Sequence, residues 1–294
     1  MPAFMIVLGL GAFLLGLVVG SFLNVCIYRM PREESLVYPP SHCPKCYQPI
    51  RPEDNIPIVS WFLLRGRCRA CGLPISFIYP VVEFLTGVLF TLFLWRFVAL
   101  YMKDAPDYLT RRDLLYYGSF YLAHMAFISA LFVATVVDFK FLIIPDVISI
   151  PGAVIAVIVS VAFPQLHGVA GSSHPHIAAL LQSLFGAAVG AGVIYAMGVG
   201  GKAVFGKEAM GFGDVKLMAL IGAFLGWQMT LVVVVFSAFL GTVYGVIYLA
   251  LTGNDKIPYG PFLSAGAVIT LIFRPEIDVF LKSVAQTYRF LIHA

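Results

Sequence analysis

Between Asp113 and Asp138 the chain reads LLYYGSFYLAHMAFISALFVATVV, residues 114–137, without a single Asp, Glu, Lys or Arg. A helix needs about 20 such residues to cross the hydrocarbon core of a bilayer. This stretch is long enough, and it is not alone. Comparable apolar runs lie at Phe4–Ile27, Tyr79–Leu100, Val147–Phe163, Ile177–Val199, Val215–Trp227, Thr230–Leu251 and Phe262–Phe273. Together they predict about eight transmembrane helices. The runs at Val215–Trp227 and Phe262–Phe273 are short, and the first of them reads as a half-span or a tilted helix that begins inside a cavity.

Composition points the same way. Of 294 residues, 60% are apolar and only 12% charged, against roughly a quarter charged in soluble domains. An ordinary soluble enzyme, a disordered chain and a disulfide-rich secreted domain are excluded. Met1–Ile27 has no basic leading segment and no small-x-small cleavage site, so it reads as the first transmembrane helix rather than a removable signal. The one long polar stretch is Tyr28–Ile78, rich in Pro, Cys and Arg. It holds Arg29, Arg32, Lys45, Arg51, Arg65, Arg67 and Arg69, which places it in the cytoplasm and the N-terminus outside. Lys140, Lys202, Lys207 and Lys256 then also fall in cytoplasmic loops. Lys103, Arg111 and Arg112 fall in an outer loop, where Asp104, Asp107 and Asp113 offset them. The net charge of +4 is modest and not patterned for nucleic acid. The expected architecture is an all-α polytopic membrane protein. It divides into a first transmembrane helix (1–27), a small cytoplasmic zinc-binding module (28–78) and a transmembrane bundle (79–294).

Zinc enters through four of the five cysteines. Cys43-Pro-Lys-Cys46 and Cys68-Arg-Ala-Cys71 form two C-x2-C pairs with residues 47–67 between them. Two such hairpins can present four thiolates tetrahedrally, a closed structural site, and a reducing cytoplasm disfavours disulfides. So small a module builds little core, and the metal would supply much of its folding energy. Cys26 reads as a packed thiol. GxxxG spacing at Gly16/Gly20, Gly186/Gly190, Gly222/Gly226 and Gly241/Gly245 predicts close helix packing within one bundle.

Ionisable groups at membrane depth are costly and point to function. Asp138 closes the run quoted above, and Asp214 closes Gly211-Phe212-Gly213-Asp214 and opens the sixth run. Both belong to cytoplasmic helix ends, hence to one depth. Two carboxylates there can share one proton and activate water against an amide carbonyl, with the glycines leaving room for a substrate strand. Asp146 suits the N-terminal dipole of its helix. Glu83 is placed to pair with a basic residue of the cysteine module. Ser21 and Asn24 are expected to hydrogen-bond within the bundle, and His124 to be a core histidine. His167, His174 and His176 are loop residues able to take adventitious metal. On these residues alone a proton- or ion-coupled transporter is the rival reading, although such proteins favour midplane charges in matched halves, and no internal repeat is apparent.

An ordered set of motifs narrows the choice. Gly20-Ser21-Phe22-Leu23-Asn24-Val25, Tyr28-Arg29-x-Pro31, the C-x2-C pairs, Asn55-Ile56-Pro57-Ile58-Val59-Ser60 and Tyr79-Pro80-x-x-Glu83 open it. Asp138 to Pro145-Asp146, Gly206-Lys207-Glu208 through Gly213-Asp214-x-Lys216, and Pro258-Tyr259-Gly260-Pro261 complete it. The set resembles the bacterial type IV prepilin peptidases. That resemblance implies a G-x-G-D aspartic protease of the inner membrane, with Asp138 and Asp214 as the catalytic pair. It implies cleavage of type IV prepilins and type II secretion pseudopilins after the Gly that ends a basic leader. It also implies N-methylation of the new amino terminus, usually Phe, from S-adenosylmethionine. No motif localises the methyl-donor site. Partners expected on this basis are pilin-like substrates and the lipid bilayer.

Overall fold

The computed structural model describes residues 2–102, 110–206, 210–253 and 257–293. Lys103, Asp104, Asp107, Lys207, Glu208 and Lys256, used above for topology and motif, lie outside the described residues. The helices are α1 (Pro2–Arg29), α2 (Val59–Leu63), α3 (Ile78–Tyr101), α4 (Arg111–Phe141), α5 (Asp146–Ala162), α6 (Pro175–Phe205), α7 (Phe212–Leu225), α8 (Trp227–Thr252), α9 (Gly260–Ile272) and α10 (Arg274–His293). The described residues form no sheet, only two isolated bridges in the cysteine module. Five helices, α1, α3, α4, α6 and α8, are long and apolar enough to cross a membrane, whereas α5 and α9 are apolar but shorter. A count of eight full spans is not confirmed. The 14 residues of α7 rise about 21 Å, against a hydrocarbon thickness of about 30 Å. Such a helix is viable because protein covers it: Leu217, Met218, Leu220, Ile221, Ala223, Phe224 and Leu225 are all buried.

The chain divides into two compact units, Met1–Met125 and Ala126–Ala294, with the boundary inside α4. In the first, α1 lies along α3 with almost no side chain between them. A Cβ on Gly16 would stand 2.6 Å from Gly87 Cα, and one on Gly20 2.7 Å from Glu83 Cα. The GxxxG pair thus sets backbone-to-backbone contact. Asn24 caps the arrangement by donating to the Tyr79 carbonyl at 3.1 Å. At the opposite end, His124 is fully buried, stacks on Phe93 with ring centres 5.0 Å apart, and bonds the Phe120 carbonyl through Nδ1. It is a core histidine. Cys26 is likewise a buried, packed thiol.

In the second unit α6 packs on α7 in the same manner. Gly186 meets the Gly222 carbonyl, Gly222 the Gly186 carbonyl, and Gly190 the Met218 carbonyl, so no side chain fits at any of the three. The end of α7 is marked by Gly226, at φ 81, after which the chain turns into α8. A helix that stops inside protein must satisfy its last carbonyls. Ser160 and Ser183 both donate to the Ala223 carbonyl, at 3.1 and 2.7 Å. α7 is therefore held rigidly from its C-terminal end, which leaves its N-terminus, with Asp214, as a fixed platform.

Candidate active site and metal centre

Within the first unit, residues 41–50 and 66–75 fold into two knuckles of identical design. Cys43 N–H donates to the Gln48 carbonyl at 3.0 Å, and Cys68 N–H to the Leu73 carbonyl at 2.9 Å. Tyr47 N–H and Gly72 N–H turn back to the Cys43 and Cys68 carbonyls, each at 2.9 Å. Both turn residues sit at positive φ, 58 for Tyr47 and 70 for Gly72. The four thiol sulfurs lie within 4.8 Å of one another, and Cys43 Sγ is 4.0 Å from Cys71 Sγ. Four ligands around zinc at about 2.3 Å stand about 3.8 Å apart, so the set fits one tetrahedral ion. The backbone N–H groups of Cys71 and Ala70 bring the Cys68 thiol down to about 7, which favours the thiolate there, whereas Cys71 beside it is raised to about 11. Among the described residues this is the one group of three or more metal-type ligands. His167, His174 and His176 do not join into another.

Arg69, between the second pair of cysteines, grips Asp54 through Nε and Nη2 at 2.7 and 2.6 Å, and this keeps the Asp54 carboxyl below its ordinary range. Arg29, which the charge pattern uses only for topology, is 5% exposed and spends its guanidinium on the Ser35 and Pro39 carbonyls. It ties the module to the end of α1. Glu83 departs from expectation. Its carboxylate meets no basic residue of the module; it accepts the Ile58 N–H at 2.7 Å and a bond from Ser21.

The second unit brings Asp138 and Asp214 together. Asp138 ends α4, Asp214 occupies the first turn of α7, both are buried, and their carboxyl groups are close enough to interact electrostatically. Each is held through one oxygen by the N–H of a glycine. Gly260, first residue of α9, donates to Asp138 Oδ2 at 2.9 Å, and Gly211 donates to Asp214 Oδ2 at 3.1 Å. Asp214 returns its own N–H to the Gly211 carbonyl at 3.1 Å, a reciprocal cap in the positive field of the helix start. The glycine at 260 is obligatory for another reason. A Cβ there would lie 2.8 Å from Asp138 Oδ2 and 3.0 Å from Ile144 Cδ1. The space beside Gly213, expected to admit a substrate strand, is filled by Ile144, 3.1 Å from where a Cβ would be. Tyr259 stands next to this pair, within the field of Asp214, its hydroxyl 3.0 Å from Ser237 Oγ. Gly260 and Tyr259 stand in a motif quoted from the sequence, yet nothing in the sequence says which distant carboxylate they serve.

Asp146 does begin α5, but its carboxylate faces Lys216 Nζ at 2.6 and 2.8 Å. The pair braces α5 against α7 two residues from Asp214. Two buried carboxylates that sense each other and are oriented by fixed donors are the arrangement an acid–base couple for activating water requires.

Residues 14–97 match the family described as Bacterial Peptidase A24 N-terminal domain, and residues 125–246 match the Type IV leader peptidase family. Three curated relatives carry the name prepilin leader peptidase/N-methyltransferase. The chain is 38% identical to that of Myxococcus xanthus over 242 residues, covering 82% of this chain and 63% of that longer protein. It is 33% identical to that of Aeromonas hydrophila, with 90% of each chain covered. It is 32% identical to that of Stutzerimonas stutzeri, with 94% of each covered. No solved structure matches. A transporter reading gains no support from these relatives.

Proposed function

Because the chain belongs to the type IV leader peptidase family, we propose that it is a membrane-embedded aspartic endopeptidase and protein N-methyltransferase of the bacterial inner membrane. It removes the leader from type IV prepilins and type II secretion pseudopilins, then methylates the amino terminus so exposed. The observation that carries the protease half is the Asp138–Asp214 couple, each carboxyl pinned through Oδ2 by a glycine N–H. Two carboxylates at one site share a proton. The unprotonated member takes a proton from water as its oxygen attacks the scissile carbonyl. The protonated member donates to the carbonyl oxygen. Collapse of the tetrahedral adduct returns a proton to the leaving amine. The glycine N–H groups keep both carboxyls aimed throughout, so little reorganisation is needed as charge moves.

Cys43, Cys46, Cys68 and Cys71 hold one structural zinc, which with all four positions taken by sulfur leaves none for catalysis. S-adenosylmethionine supplies the methyl group. The basic loops support a cytoplasmic location for the module and the aspartates and an outer N-terminus.

Asp138→Asn or Asp214→Asn should each lower cleavage of a model prepilin at least about 1,000-fold with the protein still folded, because the pair acts as one unit. Asp146→Asn should keep substantial activity, since Asp146 is 58% exposed and such ion pairs contribute at most about 1 kcal/mol. Mass spectrometry of the product reads both. An inactive Asp146→Asn beside an active Asp138→Asn would remove Asp138 from the site.

A further inference from the structure

The aspartate pair leaves one buried carboxylate unused. Among the described residues of the first unit, Glu83 is the only buried acid, and no cation pairs with it. A carboxylate withdrawn from water and met only by neutral donors remains a strong seat for a positive charge. It borders a cavity of about 830 Å³ between α1, α3 and the two knuckles, lined also by Phe22, Asn24, Tyr28, Trp61 and Tyr79. Cavities of roughly 300–1,000 Å³ take ligands of nucleoside size. Aromatic walls suit both an adenine ring and a sulfonium cation.

The backbone beside Glu83 is strained. Ile58 sits at φ 62, ψ −53, and Val59 N–H closes a three-residue turn onto the Pro57 carbonyl at 2.6 Å. That γ-turn is the rare, unfavourable hand, and a β-branched residue is among the worst at positive φ. Its result is to aim the Ile58 N–H at Glu83 Oε2, 2.7 Å away. Strain held in place at a cavity wall is a mark of a working site.

We infer that methyl transfer takes place in this cavity and that Glu83 receives the ammonium of the new amino terminus. This rests on the methyltransferase half of the reading above. Glu83 takes one proton from the ammonium. The neutral nitrogen attacks the sulfonium methyl carbon, a C–N bond forms, and the C–S electron pair leaves with sulfur as S-adenosylhomocysteine. The product is the N-methylammonium, and the proton on Glu83 passes to water.

The test uses the full chain in detergent with two fluorescent peptides beginning at Phe, one with a free amine and one acetylated. The parent protein should bind the free amine about tenfold more tightly, as expected for a charged hydrogen bond. Glu83→Gln should erase that preference and lower methyl transfer to the free peptide about 100-fold or more. Prepilin cleavage and calorimetric binding of S-adenosylhomocysteine should persist, and Glu83→Asp should restore part of the transfer. Val25→Trp, which fills the cavity from α1, should abolish S-adenosylhomocysteine binding and leave cleavage intact. Methyl transfer at the parental rate in Glu83→Gln would overturn the inference. So would joint loss of cleavage, transfer and S-adenosylhomocysteine binding, which would reduce Glu83 to a brace, or retained binding in Val25→Trp. If the parent methylates nothing, the second activity itself fails. The two peptides still decide the role of Glu83, because equal binding of both would overturn it.

Discussion

Gly260 shows how a residue with no side chain can govern a buried carboxyl, here the one proposed as catalytic. Its N–H holds Asp138 Oδ2 at 2.9 Å, and the absent Cβ leaves the room that oxygen occupies. Adding one methyl group in Gly260→Ala puts carbon 2.8 Å from Oδ2 with Ile144 Cδ1 behind it at 3.0 Å. The carboxyl must move, and a displacement of this order at a reacting group costs about 100-fold in rate. The expected outcome is therefore a loss of cleavage of about that size. Circular dichroism should be unchanged, and methyl transfer to an already cleaved peptide should be at its parental rate. Cleavage within about threefold of parent would mean that Asp138 tolerates the shift and is not held where chemistry requires it.

Among the elements, the cysteine module depends most on something beyond its own packing. It has six residues at positive φ (Glu33, Tyr47, Ile58, Arg65, Gly66 and Gly72), isolated bridges in place of a sheet, and the exposed apolar side chains Val37, Tyr38, Phe62 and Leu63. Chelation, or Cys46→Ser, should release one zinc per chain and open residues 28–78 to limited proteolysis. The membrane helices should keep their circular dichroism and thermal transition, because their glycine-lined contacts are independent of the metal. Freshly purified protein without zinc would refute this.

Much of this was legible from residue types. Two C-x2-C pairs place four sulfurs whatever lies between them, and Gly16/Gly20 announce close packing. The repeat Cys43-x-x-Cys46-x-x-Pro49-Ile50 and Cys68-x-x-Cys71-x-x-Pro74-Ile75 was also there to read. Tyr47 at the position of Gly72 conceals it, because an aromatic residue does not advertise positive φ as glycine does. The shortness of α7 was legible as a half-span, but what surrounds it was not. Hydropathy reports how apolar a segment is, not whether lipid or protein surrounds it, and α7 is buried in protein. Asp146 was legible in part: its place in the first turn of α5 is local and agrees with the sequence, whereas its partner Lys216 comes from a distant helix.

At the scale of the whole chain, the first compact unit contains one matched segment, 14–97, and the second contains all but the first residue of the other, 125–246. The buried carboxylate of the first unit and the carboxylate pair of the second are assigned to different reactions with a fixed order. The amine that is methylated does not exist until the leader is cut. If each reaction needs only its own carboxylates, the two steps need not occur in one molecule. Asp214→Asn keeps the methyl-transfer cavity, and Glu83→Gln keeps the aspartate pair. A mixture of the two in a shared detergent or liposome preparation, given prepilin and S-adenosylmethionine, should therefore yield cleaved and methylated product. It should appear after a lag, while cut peptide leaves one molecule and binds another, at a rate lower than parent by about tenfold or less. Either variant alone should give uncut substrate or cut, unmethylated product respectively. Mass spectrometry over time distinguishes all three species. A mixture that accumulates only cut, unmethylated peptide, although Asp214→Asn alone methylates a pre-cut one, would mean that the peptide passes directly between sites in one chain without release.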